Sequence, residues 1–233
     1  MMFARVARVA SVVSRRTPSM GLRALQSREN SSLVSVLKRE VEEEKGNCFE
    51  DEGLETLRAK VDTVFKLQET PGSMDILLEG TVGKEAIKIT FNAQDTLDLE
   101  DEEDYEDEEE DAEEEDEDYE EDEDEDELPG VRFTADVTRN NEGLQFDCVA
   151  SSNLTVERVR YLKDFAKDAE DETLYFGPNF IDLELDVQEK FYEYLADRKI
   201  DDELAQFINQ FADLKEQREY LAFLQDAATF VKK

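Results

Sequence analysis

Apolar positions along the chain keep two different periods, and the changes between them mark the elements. From about Asn30 to Lys45 they fall at Leu33, Val34, Val36, Leu37 and Val41, one stripe at helical spacing with charges opposite. This predicts a helix that Ser31 or Ser32 can cap and Gly46-Asn47 can stop. A second short helix is predicted from Asp51 to Lys60. The period then becomes two. Val61, Thr63, Phe65 and Leu67 alternate with Asp62, Lys66 and Gln68, Met74 to Gly80 reads as a second strand after the Pro71-Gly72 turn, and Ala86 to Ala93 as a third. Beyond Pro129-Gly130 the alternation resumes. Val131, Phe133, Ala135 and Val137 share one face, Arg139 to Gly143 is a hairpin turn with an Asn-rich centre, and Leu144 to Ala150 is the return strand. Leu154 to Leu162 is a sixth strand and Thr173-Leu-Tyr-Phe a seventh candidate. From Asp182 to Arg198 the period returns to three and four at Leu183, Val187, Phe191, Tyr194 and Leu195. After a break at Lys199-Ile200-Asp201, with Asp201 or Asp202 as cap, a last helix carries Leu204, Phe207, Ile208, Phe211, Leu214, Leu221, Leu224, Ala228 and Val231. The apolar positions Phe191, Leu195, Phe207, Phe211, Leu221 and Leu224 exceed what one solvated helix pair needs. They are read as core or subunit interface, a ligand cradle being the other reading. Seven strands with one helix before and two after give an α+β class by segregation of elements.

Charge changes this picture at one place. Asp98 to Glu127 holds 26 acidic residues in 30, interrupted only by Leu99, Tyr105, Ala112 and Tyr119. Burying one unpaired carboxylate costs several kcal/mol, and the tract has no Lys or Arg to pair with. The expectation is a disordered acidic loop over residues 98–128, inserted between the third and fourth strands. Two readings stand. The tract is a solubilising loop, or it is bait for basic partners through Asp98, Glu100, Asp101, Glu102, Glu103, Asp104, Glu113, Glu114, Glu115, Asp116, Asp122, Asp124 and Asp126. Residues 1–28 have the opposite character, with six arginines, four serines and no acid before Glu29. An Arg-rich, acid-free amphipathic segment predicts a mitochondrial transit peptide over 1–28, with a nucleic-acid-binding arm as the alternative. Residues 29–233 then form a single acidic α+β domain in the mitochondrial matrix. Without 1–28 the net charge moves from −36 to −42, and to −16 without the tract as well. Such an excess disfavours direct binding to a phosphate backbone and favours basic proteins, so any contact with RNA is indirect.

Chemistry is sparse. The chain has no histidine, which removes histidine-based triads and histidine-ligated metals. Cys48 and Cys148 make neither a four-thiolate zinc site nor a disulfide framework. No stretch reaches the roughly 18 apolar residues of a membrane span, so no membrane insertion is expected. No cofactor, metal site or catalytic residue is predicted. Diffuse, weak calcium buffering by the carboxylates is the alternative function, although Asp122, Asp124 and Asp126 lack the glycine and terminal glutamate of an EF-hand loop.

The run Phe191-Tyr-Glu-Tyr-Leu-Ala-Asp-Arg-Lys-Ile-Asp, with Glu219-Tyr-Leu-Ala-Phe-Leu-Gln-Asp and Phe230-Val-Lys-Lys, resembles the mitochondrial acidic matrix proteins, also called the mitochondrial glycoprotein or complement globular-head-binding protein family. Gly83-Lys-Glu-Ala-Ile-Lys-Ile-Thr-Phe-Asn, the acidic loop after it and Phe146-Asp-Cys agree. The resemblance covers roughly residues 30–233. It implies a seven-stranded, strongly twisted antiparallel sheet flanked by one N-terminal and two C-terminal helices, three copies forming a doughnut-shaped homotrimer. It also implies a non-enzymatic matrix protein that binds basic RNA-binding or ribosomal proteins and supports translation or RNA metabolism. In lineages that edit mitochondrial transcripts, it implies an accessory role in editing.

Overall fold

Alternation along the strands sorts the side chains onto two faces, one apolar and one polar, and this sorting organises the larger part of the structure. The computed structural model describes residues 21–47, 52–97, 129–169, 171 and 173–232, with backbone alone for 21–31, 47 and 52. In chain order the elements are α1 (Gly21–Asn47), α2 (Glu52–Val61), β1 (Phe65–Glu69), β2 (Asp75–Val82), β3 (Glu85–Leu97), β4 (Gly130–Arg139), β5 (Glu142–Ala150), β6 (Leu154–Leu162), α3 (Phe165–Asp168), a 3-10 turn (Phe180–Asp182), α4 (Leu185–Ala196) and α5 (Asp202–Lys232). The strands form an antiparallel meander in the order β1-β2-β3-β4-β5-β6. The chain divides into two compact units, Asn47–Leu221 and Met1–Gly46 with Ala222–Lys233.

In the larger unit the sheet's apolar face is covered by helical residues. Ile76, Leu78, Ile87, Ile89, Ala135 and Phe146 join Leu195 of α4 and Leu204, Phe207, Ile208 and Phe211 of α5 in one buried cluster. Phe207 and Phe211 are fully buried and stack at 5.4 Å between ring centroids, so they are core of this unit. Phe191 is half-buried and meets the edge of Phe146 at 5.9 Å, while Leu221 is half-buried. A clasp holds the β1–β2 turn to α5. Lys215, 3% exposed in its side chain, donates to Thr70 O (3.2 Å) and Glu219 Oε1 (2.7 Å) and pairs with Glu69 (3.4 Å). Burial opposes its charge, but the bonds to Glu219 and Glu69 outweigh that and hold its pKa above the ordinary lysine value. In the smaller unit Val41, Leu224 and Ala228 are buried, and the exposed ion pairs Arg39–Glu43 and Lys45–Glu42 contribute little.

Four expectations are corrected. The first strand was expected from Val61, but α2 runs through Val61 and a turn occupies 62–64 before β1. Leu54 and Val61 continue a helical stripe into the same core that Phe65 enters, so helical and extended spacing coincide there. The first helix, expected from about Asn30, begins at Gly21. The fourth helix is shorter than Asp182–Arg198. Asp182 lies in the 3-10 turn, and residues beyond Ala196 form its terminating motif.

The fourth correction is that Thr173–Phe176 is not a strand, leaving six strands among the described residues. The ladder there reduces to one bridge, Arg158↔Asn179. Phe176 instead lies over the guanidiniums of Arg160 (4.8 Å) and Arg158 (5.9 Å). Gly177, at φ 86°, passes so near β6 that a Cβ would stand 1.9 Å from Val159 O. No other residue fits that approach.

The link between α4 and α5 is a Schellman motif. Ile200 N–H donates to Leu195 O (3.0 Å) and Lys199 N–H to Ala196 O (2.9 Å), with Leu195 and Ile200 both fully buried. Asp201 Oδ1 then accepts the Leu204 N–H (3.2 Å), capping α5. Lys199 fills the left-handed position, φ 64°, which glycine occupies without strain. Lys199→Gly is therefore expected to raise stability by about 0.5–1 kcal/mol, a gain reduced by the greater freedom of glycine in the unfolded chain. Urea denaturation should show a higher midpoint with an unchanged slope.

Candidate interaction surfaces

The expected partner-binding carboxylates, Asp98, Glu100 to Asp104, Glu113 to Asp116, Asp122, Asp124 and Asp126, lie outside the described residues, as does Cys48. Their anchorage is described. The tract leaves β3 after Leu97 and re-enters at β4, and Leu97 pairs with Gly130 and Thr96 with Val131, so its two ends are held side by side on the sheet. The register shifts between Phe91 and Thr96, marking a bulge at the base. Asp95 pairs with Arg132 across the two strands at 3.5 Å. From α5, Asn209 Nδ2 donates to Pro129 O (2.8 Å) and Ala150 O (3.2 Å), fixing the point of return. The tract is thus the connection of a β3–β4 hairpin, as its position between the third and fourth strands suggested.

The polar face of the sheet carries a row of partnered charges. Lys88, Asp136, Gln145 and Arg160 stand opposite one another on β3 to β6. Arg160 Nε donates to Gln145 Oε1 (2.6 Å), Gln145 Nε2 to Asp136 Oδ1 (2.8 Å), and Arg160 also donates to Ala169 O (2.6 Å). Asp136 and Arg160 are buried at 8% exposure each, and Arg160 Nη1 has no hydrogen-bond partner. A shallow groove of about 450 Å³ lies on the same face, lined by Asp75, Asn92, Arg132, Asp147, Glu157 and Arg158 among others. It mixes both signs of charge and includes no nucleophile with an adjacent base. Cys148 is buried, and desolvation holds its thiol well above the usual pKa, with Asp147 and Glu157 adding to the shift, so it is not a thiolate at neutral pH. Among the described residues no group of three or more Cys, Asp or Glu could hold a metal ion, and no helix is long and apolar enough to cross a membrane.

Acid in the described part of the chain gathers around α4. Asp182, Glu184, Asp186 and Glu189 are exposed, next to exposed Ile181 and Leu185. Sequence reasoning followed the core stripe of α4 and passed over these two apolar residues. Their position off that stripe was the available signal.

Burial gives Asp136 a pH signature. Desolvation raises its pKa above 3.8, only partly offset by Gln145, Lys88 and Arg160. An acid whose folded pKa exceeds its unfolded value stabilises the fold most when protonated, and this contribution is lost as pH rises through the interval between the two. Asp136→Asn keeps an oxygen to accept from Gln145 and removes the buried charge. It should be more stable than wild type at pH 7, the difference shrinking as the pH falls toward 3.8, in paired thermal melts across that range.

With this geometry established, similarity to known proteins becomes informative. A family model described as mitochondrial glycoprotein matches residues 36–231. The mitochondrial acidic protein mam33 of Schizosaccharomyces pombe is 28% identical over 219 residues, covering 87% of this chain and 78% of its own. A mitochondrial protein of Arabidopsis thaliana is 26% identical over 169 residues, 72% of this chain and 62% of its own. Among solved structures, the Trypanosoma brucei p22 protein superposes with a TM-score of 0.62 at 20% identity, over 87% of this chain and 98% of that one. A Leishmania major protein, a sequence homologue of human p32, gives 0.61 at 18%, over 87% and 99%. The two structures share the α+β fold with its antiparallel sheet. The chain belongs to the mitochondrial glycoprotein family and is a mitochondrial acidic protein.

Proposed function

We propose that this protein is a non-enzymatic adaptor of the mitochondrial matrix, released from a transit peptide at 1–28, that binds basic RNA-binding or ribosomal proteins and so supports mitochondrial RNA processing, editing or translation. The observation that carries this reading is the Asp98–Glu127 polyanion, tethered at both ends to paired strands of a folded sheet. A block of like charge fixed to a rigid frame raises the local concentration of basic partners and selects for sign, with modest affinity per contact. The absence of histidine from the whole sequence and the buried, protonated state of Cys148 support a non-catalytic role.

Replacing residues 98–127 with a short Gly/Ser bridge is the test. The fold should survive, because Leu97↔Gly130 pairing and the Asn209 bonds lie outside the deletion. Affinity for a basic ribosomal protein should fall at least tenfold at low salt, and most of the salt dependence should disappear. Added salt should mimic the deletion on the intact chain, since charges separated by more than about 8–10 Å are screened at physiological ionic strength. Unchanged affinity and salt dependence would reduce the tract to a solubilising loop.

Homotrimeric assembly is part of the proposal. It is supported by apolar side chains left at the surface of the smaller unit, namely Leu33 at 47%, Val36 at 44% and Phe230 at 78% exposure. Sedimentation equilibrium should give three times the mass of one chain, and a monomer mass would refute it.

A further inference from the structure

The turn into α4 presents apolar side chains where a solvated helix would carry polar ones. Ile181 is 83% exposed and Leu185 82%, and both belong to the larger unit. They are held rigidly. Phe180, one residue before, is buried against Phe191 and Tyr192 at 6.0 and 5.4 Å, and Leu183 packs on the core. Gln188 Nε2 donates to both Ile181 O (3.2 Å) and Leu183 O (2.8 Å), locking the turn onto the helix. Ile181 lies in the 3-10 turn and Leu185 is the first residue of α4, whose exposed side continues at Glu189 and Glu193. Asp182, Glu184 and Asp186 flank the apolar pair in sequence, and Lys190 on α4 is held by Glu193 at 2.6 Å.

We infer that this ridge is a docking site for a basic amphipathic helix on the partner. The inference rests on the adaptor reading and names the part of the folded surface that reads the partner's shape. An exposed apolar pair at the head of a helix offers the apolar face of a second, amphipathic helix a surface to lie against. An apolar pair rimmed by unpaired carboxylates is complementary to apolar residues flanked by arginine or lysine, and is repelled by an acidic partner. A second copy docked two-fold would bring the same acidic rim against its own, which disfavours that occupant, and a heterologous contact within a trimer is separated by the sedimentation mass below. The ridge and the tract differ in what they detect. The tract senses charge alone, whereas the ridge requires that charge and apolar side chains share one helical face.

The test uses two synthetic peptides of about five helical turns. One places leucines along one face and arginines beside them. The other has identical composition scrambled so that no apolar face forms. The polyanion cannot distinguish them. At physiological ionic strength the full chain should bind the amphipathic peptide at least tenfold more tightly than its isomer. Ile181→Ser with Leu185→Ser should abolish that preference without lowering the melting temperature, because both side chains are solvent-exposed. Glu184→Gln with Asp186→Asn should weaken the amphipathic peptide severalfold and keep part of the preference. Equal binding of the two peptides, or a preference that survives the Ile181/Leu185 variant, overturns the inference. So does a fall in sedimentation mass on making that variant, which would assign the ridge to contact between copies. Deleting the tract separates this from the adaptor reading. It should lower affinity for both peptides alike and leave their ratio intact.

Discussion

Burial of one face of the meander beneath α5 is the constraint on which the larger unit depends. Leu204, Phe207, Ile208 and Phe211 recur at helical spacing and are essentially inaccessible, and opposite them the strands offer Ile76, Leu78, Ile87, Ile89 and Ala135. At about 25 cal/mol per Å² of apolar surface removed from water, this contact outweighs any surface ion pair in the chain. The same helix carries Asn209 beside Ile208. Its side chain reaches Pro129 O and Ala150 O and thereby fixes where the chain returns from the acidic tract. The element that closes the core therefore also fixes the first described residue after the acidic tract.

A net charge of −36 would oppose folding if it were spread through the core. The structure handles its interior charges by pairing them. Lys215 is enclosed by Glu69, Glu219 and the Thr70 carbonyl, Arg198 by Glu85 at 2.6 Å and the Tyr194 ring, and Arg160 by Gln145, the Ala169 carbonyl and Phe176. These cations sit where α5, α4 or the 169–180 segment meets the sheet, so each pair also joins elements distant in sequence. Unpaired with these cations, Asp182, Glu184, Asp186 and Glu189 around α4 are left to solvent.

How much of this could be read from the sequence depended on the local physics. Strands β2 to β6 were legible because period-two alternation is bounded by short turns or, between β3 and β4, by the acidic tract. The Asn140-Asn141 turn, with φ of 53° and 69°, is the left-handed pair that a tight hairpin demands. The start of β1 was not, because Val61 and Phe65 are four apart and fit a helical face equally well. Thr173–Phe176 looked like a strand by composition, yet the fate of its aromatic was set by Arg158 and Arg160, whose positions only the sheet register determines. On α5 the buried stripe was correct, but whether Phe207 and Phe211 faced a core or a neighbour was undetermined until the sheet stood opposite them. The tract's chemistry was plain from composition. Ile181 and Leu185 were not legible as a surface pair because neither falls on the stripe of Leu183, Val187, Phe191, Tyr194 and Leu195.

Placing a polyanion in a hairpin connection, and not at a terminus, has a thermodynamic rationale. Lengthening a hairpin loop from about four to about thirty residues is three doublings, and at roughly 0.6 kcal/mol each the closure cost rises by about 2 kcal/mol. Mutual repulsion among the 26 carboxylates adds to this cost. The strands that bear the load are β3 and β4, the central pair of the six, each hydrogen-bonded on both sides. An edge strand would have ladder support on one side only and would fray under the same pull. At the base the bulge before Thr96, the Asp95–Arg132 pair and the Asn209 bonds close the neck of the loop. The chain thus leaves and re-enters the sheet at one fixed place, with Leu97 paired to Gly130.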